Sequence, residues 1–281
     1  MGAGKSRTSS NISGINNKFG DEQSNNFPEK DIIKTLALEL GYVDPDDKVQ
    51  VGWDSVNDKP ILDVYIPTFV ENNIVSYVYN TFGKEYVLKV FDELYNKAVQ
   101  REDYDERYKN LLSGNKDYSY KQIYMALNKW SSGSIGSYGS TEIRHASLQG
   151  IDKDDGLSIK NNLYNDILEN TINTRGSFNS TELYRGIRVK DSNFIKNLSV
   201  GDKIDLRGIS SWSASKSIAE KFTNYEGEKV VFVIPKNKTK SFNIQEYSSF
   251  SKEVESIVSS NFKPTVTNIS EDSGITYVTL K

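Results

Sequence analysis

The sequence predicts an α+β fold, with a block of helices followed by a block of strands, behind a small N-terminal α/β extension. From Thr68 to Ile234 there is no proline, which suits helices followed by strands that are paired on both sides. Over the first part of that stretch apolar residues recur at helical spacing, and after Thr181 they recur at strand spacing. Helices and strands segregated in this way indicate α+β rather than alternating parallel units. A chain of 281 residues is long enough for one large domain with a smaller attachment.

Taken in order, residues 1–26 are Ser, Asn and Gly with scattered charge, too poor in large apolar side chains to offset the entropy of ordering, and read as a disordered arm. Met1 to Ser6 also fits an N-myristoylation pattern at Gly2, a permissive match. Residues 27–80 read as a small N-terminal unit. Ile32, Ile33, Leu36 and Leu38 form a short helix that Gly41 to Asp47 ends. Val49, Val51 and Trp53, then Leu62, Val64 and Ile66, alternate around Asn57 to Pro60 as a β-hairpin. Residues 81–281 read as the main domain. Its helical faces are Tyr86 to Ala98, Ile123 to Trp130 and Ile159 to Ile172. Ser131 to Asp155, rich in Ser and Gly and holding His145, reads as a loop. The strands expected are Leu183–Val189, Lys203–Leu206, Val230–Pro235, Ser241–Gln245, Val254–Val258 and Ile275–Leu280. One helix, Ser217–Phe222, interrupts them, with Ser217 and Glu220 spaced as a capping box.

Composition narrows the chemistry. With 35 basic and 38 acidic side chains the chain lacks the field that draws polyanions, so a nucleic-acid partner is not expected. The absence of Cys removes disulfides, thiolate nucleophiles and Cys-ligated zinc. One His, His145, leaves no His-rich metal site, and it is expected to be a solvated residue rather than a base. Carboxylates, Arg, Lys, Tyr and hydroxyls remain, which points to carboxylate chemistry at a sugar or phosphate. No apolar run is long enough to span a bilayer, and no signal-peptide core is visible, so a soluble protein is expected, without a membrane partner.

Three local patterns could carry that chemistry. Leu183-Tyr184-Arg185-Gly186-Ile187 places a guanidinium mid-strand, where it must reach solvent or meet an anion, and Gly186 lets a backbone or ligand come close. Gly208 to Ser213 places Ser211 and Ser213 on one strand face and Trp212 on the other, and leads to a helix with Ile218, Ala219 and Phe222. Tyr247 to Glu255 is a loop with two aromatics, Tyr247 and Phe250, running into a strand that opens with Glu253 and Glu255. Two acids on one strand face repel, so at least one needs a cation or a proton.

In that order, Tyr-Arg-Gly, Ser-Trp-Ser before a helix, and an aromatic loop into Glu-Val-Glu, the sequence resembles the arginine-type mono-ADP-ribosyltransferases, which include clostridial binary toxins and phage-encoded enzymes. Their signature is an Arg on the first core strand, a Ser-Thr-Ser strand and a Glu-x-Glu strand, and here Trp212 stands where the family has Thr. The resemblance covers about 120 to 200 C-terminal residues. It implies helices packed on a two-sheet mixed and antiparallel β core, NAD as substrate, no metal, and a protein target bearing an acceptor arginine. It implies that Arg185, Ser211, Glu253 and Glu255 are catalytic, and that Arg185, Gly186, Ser211, Ser213 and Phe222 bind NAD. Tyr247, Phe250 and Glu253 are then expected to meet the target. The alternatives are an NAD glycohydrolase of the same fold and a degenerate binding protein. Lys-, Asn- and Ser-rich composition suits a phage or bacterial protein working in a bacterial cytoplasm.

Overall fold

A computed structural model describes residues 27–134, 137–189, 193–224, 227–247 and 253–281. The arm and the Gly2 pattern expected within residues 1–26 lie outside the described residues, as does Phe250. The chain begins with α1 (Ile32–Glu39), the hairpin β1 (Lys48–Asp54) and β2 (Lys59–Val64), α2 (Thr68–Phe82), α3 (Lys84–Ala98), α4 (Glu102–Leu112) and α5 (Tyr120–Ser131). Gly83, at φ 93, ends α2 by donating its amide to the Val78 and Tyr79 carbonyls, and α3 starts at the next residue. Ser119 and Gln122 form a reciprocal capping box that fixes the start of α5.

The short β3 (Gly133–Ser134) and β4 (Ser137–Tyr138) lead to α6 (Gly139–Gln149) and α7 (Gly156–Arg175). The loop expected over 131–155 is therefore largely helical. Ile143 and Ala146 supply a buried face, and Gly139 lets the helix start against α5, where a Cβ would lie 1.7 Å from the Lys129 carbonyl oxygen. His145 sits exposed on α6 rather than on a loop.

Apolar residues of α1, α2, α3, α5, α6 and α7 form one core with Ile209, Ile244 and Ile257. A boundary drawn at residue 80 thus passes through a single apolar cluster. Within residues 27–80, the β1–β2 hairpin leaves a row of apolar side chains in water, Trp53 and Leu62 among them.

The remaining elements are β5 (Ser177–Phe178), β6 (Leu183–Val189), α8 (Phe194–Asn197), β7 (Ser210–Ser213), α9 (Lys216–Lys221), β8 (Glu228–Ile234), β9 (Lys240–Asn243), β10 (Glu255–Val258), β11 (Val266–Asp272) and β12 (Ile275–Leu280). Eight strands run in the order β11-β12-β8-β6-β7-β10-β9-β5; β12 and β8 are parallel and the other pairs antiparallel. At the centre, β6 and β7 are joined by one residue pair, Tyr184 with Ser213. The sheet therefore divides into two four-stranded halves, the two-sheet core expected from the resemblance. Between them lies a second apolar cluster with Leu183, Trp212, Phe232, Val258 and Val278.

Four sequence readings need correction. Lys203–Leu206 is not a strand: a lone bridge links Lys203 to Thr265, because the edge beside it is taken up by β11, a strand absent from the expectation. Helices α2 and α4 were likewise not expected. The Ser217–Glu220 capping box does not form, since Ser215 is the N-cap and Glu220 accepts a hydrogen bond from the Tyr277 hydroxyl. Finally, β10 begins at Glu255; Glu253 lies in the turn before it, and Val254 between them has φ 48.

Candidate active site

The site forms where the two half-sheets part. Beyond Tyr184 the backbones of β6 and β7 separate, and Arg185 bridges the gap by donating Nη1 to the Ser211 carbonyl at 2.8 Å. Burial, and the charge of Arg144, push the Arg185 guanidinium down to about 10 against a partial counter-effect from Glu255. Among the described residues no carboxylate forms a salt bridge with it.

The serine strand behaves as its alternation requires. Trp212 is 2 % exposed, packs between the half-sheets and donates its indole N–H to the buried Ser210 hydroxyl at 2.8 Å. The exchange of Thr for Trp therefore falls on the core side of the strand. Ser211 and Ser213 face the other way. Ser213 donates to the Glu253 carbonyl at 2.6 Å and accepts from the Ser215 amide, so it holds the turn before β10 in place. Ser211 hydrogen-bonds the Glu255 carboxylate, and Trp130, at the end of α5, points Nε1 at both: 3.1 Å to Ser211 Oγ and 3.2 Å to Glu255 Oε1.

Desolvation raises the Glu255 pKa above the ordinary carboxylate range, opposed by the Ser211 and Trp130 hydrogen bonds and by Arg185. Glu253 is raised as well, first by burial and then by the charge of Glu255. The two acids differ in setting. Glu255 is fixed by donors on two elements, whereas Glu253 lines the cleft from the turn before β10.

Two helices complete the walls. From α6 come Ser140, Thr141 and Arg144; Arg144 donates to the carbonyls of Leu206 and Arg207 at 3.0 and 3.3 Å. Burial lowers its pKa, and Arg207 adds to the effect. From the other side, α9 presses on β6 at Gly186, where a Cβ would lie 1.9 Å from the Ala219 carbonyl oxygen and 3.0 Å from Phe222 Cβ. The resulting cleft of about 460 Å³ is lined by Trp130, Arg144, Arg185, Gly186, Ser211, Ser213, Phe222, Glu253 and Glu255, among others. A larger depression between Phe27–Ile32 and α3 contains none of the predicted residues.

Of the predicted residues that are described, Tyr247 does not line this cleft. Its ring, half-buried, packs on Phe242 and Tyr108, and its carbonyl accepts from Ser131. Sequence reasoning missed Trp130 and Arg144. Trp130 is placed by helical periodicity in a core face, and only the fold shows where its N–H leads. Arg144 was hidden in the Ser/Gly-rich segment, although the i, i+3 spacing of Ile143 and Ala146 carried a helical signal.

These layers and this cleft define the ADP-ribosyltransferase fold. The solved structures this chain resembles include several ADP-ribosyltransferases. HopU1 of Pseudomonas syringae pv. Tomato DC3000, an ADP-ribosyltransferase, matches at a TM-score of 0.50 and 17% identity over 68% of this chain and 86% of that one. Vis of Vibrio splendidus, in complex with agmatine, matches at 0.47 and 20% identity over 68% and 84%. The eucaryotic mono-ADP-ribosyltransferase ART2.2 matches at 0.45 and 14% identity over 85% and 94%. At these identities the likeness is one of fold. No family model matches the sequence, and the search of curated proteins found no match to it. Among the described residues no helix is long and apolar enough to cross a membrane, and no cluster of His, Cys, Asp and Glu could hold a metal ion.

Proposed function

We propose that the protein cleaves NAD and transfers its ADP-ribose to arginine on a protein target, releasing nicotinamide. The observation that carries this reading is the convergence of Arg185, Ser211, Glu253 and Glu255 on one cleft of the ADP-ribosyltransferase fold. Arg185 and Arg144 are two partly desolvated cations that repel each other and have no carboxylate salt bridge among the described residues. A diphosphate supplies the missing negative charge, and planar guanidinium forks match its oxygens. The Gly186 backbone and the Phe222 ring then flank the nicotinamide, at a point where the absent side chain of Gly186 lets α9 close in.

Loss of nicotinamide leaves positive charge on the ribose, and Glu255 is the carboxylate placed to stabilise it. Ser211 orients Glu255, and Ser213 holds the turn that carries Glu253. Glu253 serves the acceptor: it aligns the incoming guanidinium and takes the proton released as nitrogen bonds to the sugar. Its raised pKa brings it towards neutrality, which suits a base. Tyr247 and Phe250, in the segment before the acids, are assigned to target contact. The cytoplasm of a bacterial cell, which supplies NAD, is the proposed place of action.

A biotinylated NAD analogue supplied with bacterial lysate tests the reading. Label on protein, mapped to arginine by mass spectrometry and lost in Glu255→Gln, is the expected result. Nicotinamide release with no label on protein would reduce the function to NAD hydrolysis, and no release at all would end the proposal.

A further inference from the structure

We infer that Trp130 is a positioning residue for Glu255: its indole N–H reaches out of the helical core to hold the carboxylate together with Ser211. This rests on the reading of Glu255 as the group that stabilises the ribose cation. The geometry is specific. Nε1 lies 3.2 Å from Glu255 Oε1 and 3.1 Å from Ser211 Oγ, so one N–H is shared between two acceptors that themselves hydrogen-bond each other. The ring is 2 % exposed and packed in the helical core, so it cannot swing away to find water. The triangle thus ties α5 to two adjacent strands, β7 and β10.

The choice of indole has a chemical reason. An indole donates but neither accepts nor ionises. A Lys or Arg in its place would steady the carboxylate with a full positive charge and would oppose the cation that must develop beside it. A hydroxyl alone could rotate and accept instead. Trp130 supplies a fixed, neutral donor that favours the ionised form of a buried acid without repelling the transition state. The charged groups facing Glu255 among the described residues are Arg185 from β6, with Arg144 of α6 beyond it, and Glu253 from the preceding turn. Arg185 favours the ionised form and Glu253 opposes it. Trp130 adds to the former without changing the net charge of the cleft.

The test replaces Trp130 in the full chain by Phe and, separately, by benzothienylalanine, which keeps the bicyclic shape and loses the donor. Three quantities are read for each: nicotinamide release from NAD as kcat and KM, the pH dependence of kcat/KM, and the Glu255 carboxyl titration by NMR of carboxyl-labelled glutamate. Loss of one hydrogen bond to a charged group is expected to lower kcat by about 10- to 100-fold, with KM for NAD held within about threefold. The acidic limb and the NMR titration of Glu255 should both move to higher pH, because the ionised form loses a donor. Ser211→Ala should give the same direction, and the double variant should lose less than the product of the two single effects.

A benzothienylalanine protein with unchanged kcat and an unmoved Glu255 titration overturns the inference. So does one in which kcat falls but the titration stays put, because that would leave Trp130 a packing role only. If the unsubstituted protein releases no nicotinamide, the functional reading fails on its own; the NMR titration still decides whether Trp130 governs Glu255.

Discussion

Adding one methyl group at Gly186 tests how the cleft is built. In Gly186→Ala the new Cβ would lie 1.9 Å from the Ala219 carbonyl oxygen and 3.0 Å from Phe222 Cβ. Carbon and oxygen do not approach much closer than about 3 Å, so α9 must retreat from β6 by about 1 Å or the strand must bow by as much. Overpacking of this kind costs roughly 1–3 kcal/mol, which in a chain of this size lowers Tm by about 2–10 °C. The larger effect falls on chemistry. Ala219 on the retreating helix and Phe222 at its end line the cleft, and a displacement of about 1 Å from productive geometry costs on the order of 100-fold in rate. Nicotinamide release from NAD and a thermal melt, on the same preparation, measure both. A variant with wild-type rate and Tm would show that α9 does not rest on Gly186 as described. A large loss of stability with a normal rate per folded molecule would show that the wall formed by α9 takes no part in catalysis.

Further expectations concern the charged residues. Glu255→Gln should lower NAD cleavage by at least about 100-fold yet raise Tm near neutral pH. The folded-state pKa of Glu255 lies above its ordinary value, so its contribution to stability is present at low pH and lost as pH rises through the folded pKa. The stability gap between variant and parent should therefore close on acidification, and a variant less stable than its parent near neutrality contradicts the buried charge. Glu253→Gln should abolish label on arginine and spare slow NAD hydrolysis; equal loss of both would deny it an acceptor role. Arg185→Lys keeps the charge but replaces the planar fork, whose separate nitrogens reach the Ser211 carbonyl and a diphosphate in different directions, with one compact ammonium, so KM for NAD should rise by about 10-fold. An unaltered KM would remove Arg185 from the diphosphate subsite.

The signals legible in the sequence were local. Alternation placed Ser211 and Ser213 opposite Trp212, helical spacing located α3, α5 and α7, and the order of the three motifs pointed to the fold. Readings failed where partners distant in the chain set the outcome. The segment 131–155 has the composition of a loop, but Ile143 and Ala146 find a buried face in the core that α5 and α7 build, and this makes α6 a helix. Glu253 and Glu255 have the spacing of strand neighbours, yet Val254 takes a left-handed turn between them because Ser213 holds the Glu253 carbonyl.

The sequence by itself determined which chemical groups are available and which lie on the same face of one element, because side-chain type and periodicity are properties of short stretches of chain. Tertiary structure decided that β6 and β7 part after Tyr184, that Arg144 enters from α6, and that the Trp130 indole meets Ser211 and Glu255. Those contacts join residues from about 30 to more than 100 positions apart. No local pattern encodes their meeting, since it follows from the packing of whole layers.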